Sequence, residues 1–328
     1  MRAMLRLGTH TVKPVGVGSL SVTCAALRGL DVSDVTRALH EAIELGLDLV
    51  EVSAEEAAER LVGDAIRSLR VRDRVVGALR VPALVERLGV PTRDVLPERL
   101  PARYVQDRVE AALRTTRLDV LPLAQLGLRA AWRTSTAWPE LEGTCARLVR
   151  EGKVLEWGAF VETIEDDTAE LAQPPFISIA VPFNLCERAA EPVLAAAAER
   201  SIAVLARRPL AGAALAGALG PGVQLRLHDD RRAFDAHQLE RIAVGVAKLA
   251  AHVKDEPSAA RSSEAAKHQL ERNARPEEIH CTTVAELALR WVIARGAIAL
   301  PRLHRSEHVA EAVSIAAAPP LPPLDLDI

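Results

Sequence analysis

The chain has 328 residues, enough for one large α/β barrel or two ordinary domains. Its 49 % apolar and 26 % charged content describes a soluble globular protein, and a net charge of -3 gives no electrostatic reason to expect a nucleic acid or an anionic membrane as partner. Cys24, Cys145, Cys186 and Cys281 stand far apart in no metal-ligand spacing, which argues against a zinc or iron–sulfur site and for reduced thiols of a cytoplasmic protein. The opening M-R-A-M-L-R-L-G lacks a long apolar run, so no signal peptide is expected. No stretch approaches the ~18 apolar residues of a membrane-spanning helix.

Met4 to Leu7 and Thr11 to Val15, around Gly8-Thr9-His10, predict a small hairpin, and Val15 to Leu20 a first strand. Asp31 or Ser33 caps a helix running to about Leu45, with Val35, Leu39, Ala42 and Ile43 on one face, and Gly46 ends it. Leu47, Leu49, Val50 and Val52 read as a buried second strand, after which Ala57, Ala58, Leu61, Val62, Ala65, Ile66 and Leu69 recur at helical spacing. Glu51, Ser53, Glu55 and Glu56 lie where that strand ends and that helix begins, the point that faces the site in a parallel βα unit. Further strands are expected over 74–81, 118–126, 154–160, 176–182, 202–206 and 297–301. Helices are expected over 104–116, 139–151, 162–171, 186–199, 235–253, 283–294 and 306–317. Residues 254–281 are polar and poor in large apolar side chains and read as an insertion, and 318–328 as an extended Pro-rich tail. Eight short apolar strands alternating with helices predict a (β/α)8 barrel as one domain over 1–328. The alternation alone leaves a doubly wound sheet open, and length and strand count favour the barrel.

Five segments stand out in order: L-V-R-E-G-K-V-L-E-W-G at 148–158, V-P-F-N-L at 181–185, A-R-R-P-L-A-G at 206–212, A-E-L-A-L-R-W-V at 285–292 and S-E-H-V at 306–309. Jointly they resemble the aldo-keto reductases, whose segments read L-V-x-x-G-K-V-R-x-I-G, x-P-Y-N-L, A-W-S-P-L-A-G, A-Q-L-A-L-R-W-V and P-E-H-V. E-R-L-V-G at 59–63 keeps the frame of the family's S-E-R-L-V-G. The resemblance covers about residues 5–317, less the insertion. It implies a TIM barrel of the aldo-keto reductase type with an N-terminal β-hairpin. It also implies NADP(H)-dependent carbonyl reduction by an Asp, Tyr, Lys and His tetrad. In the family the Tyr gives its proton to the carbonyl oxygen as hydride arrives from the nicotinamide. The Lys, paired to the Asp, lowers the Tyr pKa, and the His orients the carbonyl.

Against that pattern the chain departs at every tetrad position. The Asp position is Glu51, the Lys position is Arg80 and the His position is Gly127. The Tyr has no counterpart: Glu55 or Glu56 falls nearest, and the chain's single tyrosine, Tyr104, lies in a helix elsewhere on the frame. The nicotinamide contacts also change: the family's Ser-Asn after the fifth barrel strand is Phe160-Val161, its Gln at the end of the sixth is Ala180, and the stacking aromatic after the seventh is Arg207. Cofactor positions implied by the resemblance are Ser19, where the family's first strand carries Thr, together with Asn184, Arg207, Arg208, Leu210, Arg302, His304 and Arg305. The last three fall in the segment that grips the 2′-phosphate in NADP-preferring members.

Each of these residues has a functional and a structural reading. Glu51 with Arg80 is either a working acid and its partner or a structural ion pair, and the structural reading is favoured. Arg is no general base at neutral pH, since its pKa stays above about 12. Arg207, Arg208, Arg302 and Arg305 form an anion pocket or solvated surface, with nothing to choose between them. Trp132 and Trp138 line a pocket or pack helices, and Cys186 has no base nearby in sequence. Three functions follow. The first is a binding or partner-contact scaffold without the family's reductase activity. The second is a non-redox enzyme (isomerase, lyase or cyclase) using Glu51, Glu55 or Glu56 with the arginines. The third is a residual NADP(H) oxidoreductase. The expected cofactor is none, or NADP(H). The expected partners are a small or anionic ligand at the barrel mouth and a protein contacting 254–281.

Overall fold

The computed structural model describes residues 4–27, 29–84, 94–220, 222–225, 236–250, 253, 281, 283–319 and 321. All but Cys281 of the 254–281 segment, and most of the Pro-rich tail, therefore lie outside the described residues. The chain opens with an antiparallel hairpin, β1 (Leu5–Leu7) and β2 (His10–Val12). Eight parallel strands follow: β3 (Val17–Leu20), β4 (Leu49–Val52), β5 (Val76–Val81), β6 (Leu121–Gly127), β7 (Val154–Phe160), β8 (Ser178–Pro182), β9 (Ala203–Arg207) and β10 (Ala297–Leu300). Each pairs with its neighbour in chain order. The sheet closes where Gly16 N–H donates to Ala299 O (2.9 Å), Ala299 N–H to Pro14 O (2.9 Å) and Gly18 N–H to Pro301 O (2.8 Å). This is the expected (β/α)8 barrel with its N-terminal hairpin.

The helical shell comprises α1 (Val22–Leu27), α2 (Val32–Glu44), α3 (Glu56–Ser68), α4 (Leu96–Arg99), α5 (Ala102–Thr116), α6 (Trp138–Arg150), α7 (Glu191–Glu199), α8 (Ala236–Ala250), α9 (Val284–Ala294) and α10 (Ser306–Ala317). Asp31 caps α2, its carboxylate accepting from Ser33 N–H at 3.0 Å. Two short helices, α1 and α4, were not expected from the sequence; each is too short for apolar periodicity to register. The helix expected from Cys186 begins only at Glu191, because Asn184 Oδ1 accepts from the N–H groups of Cys186 (2.9 Å) and Glu187 (3.0 Å) and holds that stretch as an Asx turn. The helix expected over 162–171 is a single 3-10 turn, Thr168–Leu171.

Two apolar cores result. The larger lies between strands and helices, and both Trp132 and Trp138 are buried in it. Trp132 Nε1–H donates to Asp94 O at 3.3 Å, and the Trp138 ring meets Phe176 edge-on at 6.4 Å. The smaller core fills the barrel with alternate strand residues, including Leu49, Ala78, Leu123, Phe160, Leu205 and Ile298. Leu7 and Val12 of the hairpin join it and seal the floor, where Thr9 N–H donates to Glu156 Oε1 at 3.0 Å. Among the described residues, no helix is long and apolar enough to cross a membrane.

The Leu61-Val62-Gly63 frame has a packing reason. A Cβ at Gly63 would run into the backbone of Thr116, so the glycine lets α3 lie close against the end of α5. Buried Glu59, one turn earlier, pairs with Arg108 across the same seam. Gly63→Ala is expected to destabilise the fold by about 1–3 kcal/mol, the usual range for overpacking. The measurement is a lower urea midpoint at unchanged slope.

Candidate functional site

The strand alternation that builds the inner core carries Glu51, Arg80, Gly127, Phe160 and Arg207 to the C-terminal ends of β4, β5, β6, β7 and β9. In such barrels this is the end where sites are built. The Glu51 side chain is 0 % exposed and that of Arg80 11 %, and Arg80 Nη2 donates to Glu51 Oε2 at 2.7 Å. Arg207 Nη1 donates to Val161 O at 2.6 Å and its Nη2 to Glu162 Oε2 at 3.0 Å. Both guanidiniums lie against the Phe160 ring, at 5.1 Å for Arg80 and 5.4 Å for Arg207, within cation–π range. Burial pushes the Arg207 pKa down and neighbouring Arg80 adds to this, while Glu51 and Glu162 oppose it. Two carboxylates thus stand against two guanidiniums.

Phe160 also occupies the space beside Gly127. A Cβ at that position would lie 2.8 Å from Phe160 Cζ and 3.0 Å from Ala83 N. Two open concavities lie on the helical shell. One is bounded by Glu56, Arg60, Arg114 and Arg117, the other by Glu191, Leu194 and Arg295.

The carboxylates nearest the absent tyrosine serve local structure. Glu55 accepts from the Ser21 hydroxyl and from Thr23 N–H (3.1 Å), holding the first turn of α1. Glu56 is exposed and pairs with Arg60 one turn on. The Tyr104 hydroxyl donates to Pro82 O at 3.0 Å and ties α5 to the segment after β5.

Asn184 and Arg208 are engaged by neighbours. Asn184 is buried and bonds inward: its Nδ2 donates to Glu187 Oε2 (2.7 Å) and Arg208 O (3.0 Å). Arg208 faces Glu187 at 3.6 Å. Leu210 is half-buried ahead of a 3-10 segment, Ala211–Ala216. Arg302 is half-buried, His304 buried, and Arg305 exposed just before α10. The Ser19 side chain lies outside the described residues. Among the described residues, no group of three or more His, Cys, Asp or Glu is placed to hold a metal ion.

A model of the aldo/keto reductase family matches residues 14–327. The chain belongs to that family. A comparison of the sequence with curated proteins gives no significant match. Among solved structures the fold is similar to an aldo/keto reductase from Klebsiella pneumoniae in complex with NADP and acetate, at 23 % identity and TM-score 0.61 over 96 % of this chain and 90 % of that one. It is similar to glycerol dehydrogenase from Gluconobacter oxydans (19 %, 0.66, 97 % and 91 %) and to the holo form of an aldo-keto reductase from Bacillus halodurans (18 %, 0.63, 98 % and 93 %). At these identities the likeness shows the fold alone.

Two outcomes follow for this family member. Arg80→Met removes the guanidinium bonded to buried Glu51 and is expected to cost about 3–5 kcal/mol, whereas Glu51→Leu with Arg80→Met recovers most of that loss; urea unfolding of the set as a double-mutant cycle reads it. The thiols are the second. Burial, with a nearby carboxylate in each case, raises Cys145 to about 12 and Cys186 and Cys281 to about 11. A thiol reagent at pH 8 is expected to label these three in the native protein far more slowly than after unfolding.

Proposed function

We propose that this family member is a barrel scaffold for binding or partner contact, without the family's NADP(H)-dependent carbonyl reductase activity. One observation supports the reading: a Cβ at Gly127, the position the family resemblance gives to the His, would meet the Phe160 ring, and the guanidiniums of Arg80 and Arg207 lie against that same ring. The side chains present do not fit a nicotinamide. Arg207, at the stacking position, is held by Val161 O and Glu162 and presents a cation to a ring that is itself positive when oxidised. Ala180, at the position of the family's Gln, has no amide to offer the carboxamide. The complexes of related structures with NADP and NADPH are the argument on the other side.

The same geometry weighs against the non-redox enzyme. Glu51 is sealed and bonded to an arginine, Glu55 caps a helix, and Arg80 and Arg207 are each paired with a glutamate. Binding therefore falls to the outer surface and rim of the barrel.

Calorimetry with NADPH, and NADH as control, tests this reading. Neither cofactor is expected to bind up to millimolar concentration. Micromolar NADPH affinity would sink the reading and redirect the search to carbonyl substrates. Restoring only Tyr, Lys and His (Glu55→Tyr, Arg80→Lys, Gly127→His) is expected to leave carbonyl reduction at background, because Arg207 and Ala180 remain at the nicotinamide positions.

A further inference from the structure

Below Phe160 on β7, the barrel interior contains a polar pair that the mouth does not account for. Gln125 on β6 and Ser178 on β8 are both 0 % exposed. Strand β7 runs between them, and Gly158 pairs with Gln125 on one side and with Ser178 on the other. A Cβ at Gly158 would collide with the Ser178 hydroxyl and lie 3.4 Å from Gln125 Cγ. The glycine thus makes room for the Ser178 hydroxyl, which stands over it beside Gln125. Among the described residues, neither Oε1 nor Nε2 of Gln125 nor Oγ of Ser178 has a hydrogen-bond partner.

Buried polar side chains are nearly always satisfied, and where protein groups fail to do it an ordered water does. We propose that Gln125 and Ser178 hold an internal water molecule between their side chains, inside the barrel. The chemistry of the pair selects that ligand. Gln125 offers a donor and an acceptor, and Ser178 can serve as either. A water molecule donates and accepts at once, whereas an anion or a cation would satisfy only half of the amide. Neither side chain carries charge to hold an ion. The proposal is independent of whether a cofactor binds above Phe160.

A high-resolution crystal structure of the full chain is the first test. The expected result is one well-ordered water within hydrogen-bond distance of both Ser178 Oγ and the Gln125 amide. A dry site, or a direct bond between Gln125 and Ser178, overturns the proposal. Oxygen-17 relaxation dispersion in solution is the second: Gln125→Leu with Ser178→Ala should remove one long-lived water from the native count, and an unchanged count overturns the proposal. Thermal melts add a third reading. Ser178→Ala alone should lower Tm by about 2–4 °C, and adding Gln125→Leu should cost less than the sum of the two single changes. Strict additivity overturns the shared water. Should the variants fail to fold, the native crystal structure decides alone.

Discussion

A closed barrel gives its inward side chains no solvent to turn to, so a charge placed there has to be matched where it stands. The Glu51–Arg80 pair is that match, and the mouth is arranged around it. Arg80 extends from β5 to meet a carboxylate on β4 and lies against Phe160 on β7. Phe160 is also in contact with Arg207 from β9, which is anchored to Val161 and Glu162. Four strands are thereby linked through one aromatic ring. The pair is longer than the Asp–Lys pair of the family pattern by one methylene on the acid and by a fork-shaped guanidinium on the base. That extra reach lets the base contact the ring as well as the carboxylate.

The architecture was legible because it depends on features a sequence displays. Eight apolar runs, the Asp31 cap and the Leu61-Val62-Gly63 frame each act locally or over one helix seam, and each lies where the pattern puts it. The site was legible only as a set of departures. Phe160 could be read as a lost Ser; nothing in the sequence says that its ring occupies the space beside Gly127, since residues 127 and 160 meet only through the β6–β7 register. Gln125 and Ser178 were invisible for the same reason: each is unremarkable alone, and their relation exists only across Gly158. Helix α7 was misplaced by a local competitor, the Asn184 side chain, which offers the backbone of Cys186 and Glu187 a turn instead of a helix.

The two ends of the barrel are under different physical demands. At the floor, Leu7 and Val12 of the hairpin join the inner core, and Glu156 is clamped by Thr9. In the shell, α3 sits tight against α5 at Gly63. The Gly63 seam and the Thr9–Glu156 contact involve no mouth residue, while the hairpin shares the inner core with Phe160. One barrel architecture can in this way carry different mouths.

Within the mouth, by contrast, no substitution stands alone. A side chain at 127 needs the space that Phe160 holds, and moving Phe160 takes the ring away from both guanidiniums. Shortening Arg80 withdraws a donor from a carboxylate with no access to water. Replacing Arg207 with an aromatic leaves Val161 O and Glu162 without their donor. Groups in contact respond to change as a unit, and their effects do not add. A substitution at 127 therefore brings a clash with it, and one at 80 or 207 leaves a polar group without its donor. The mouth is held in its present state by this close packing.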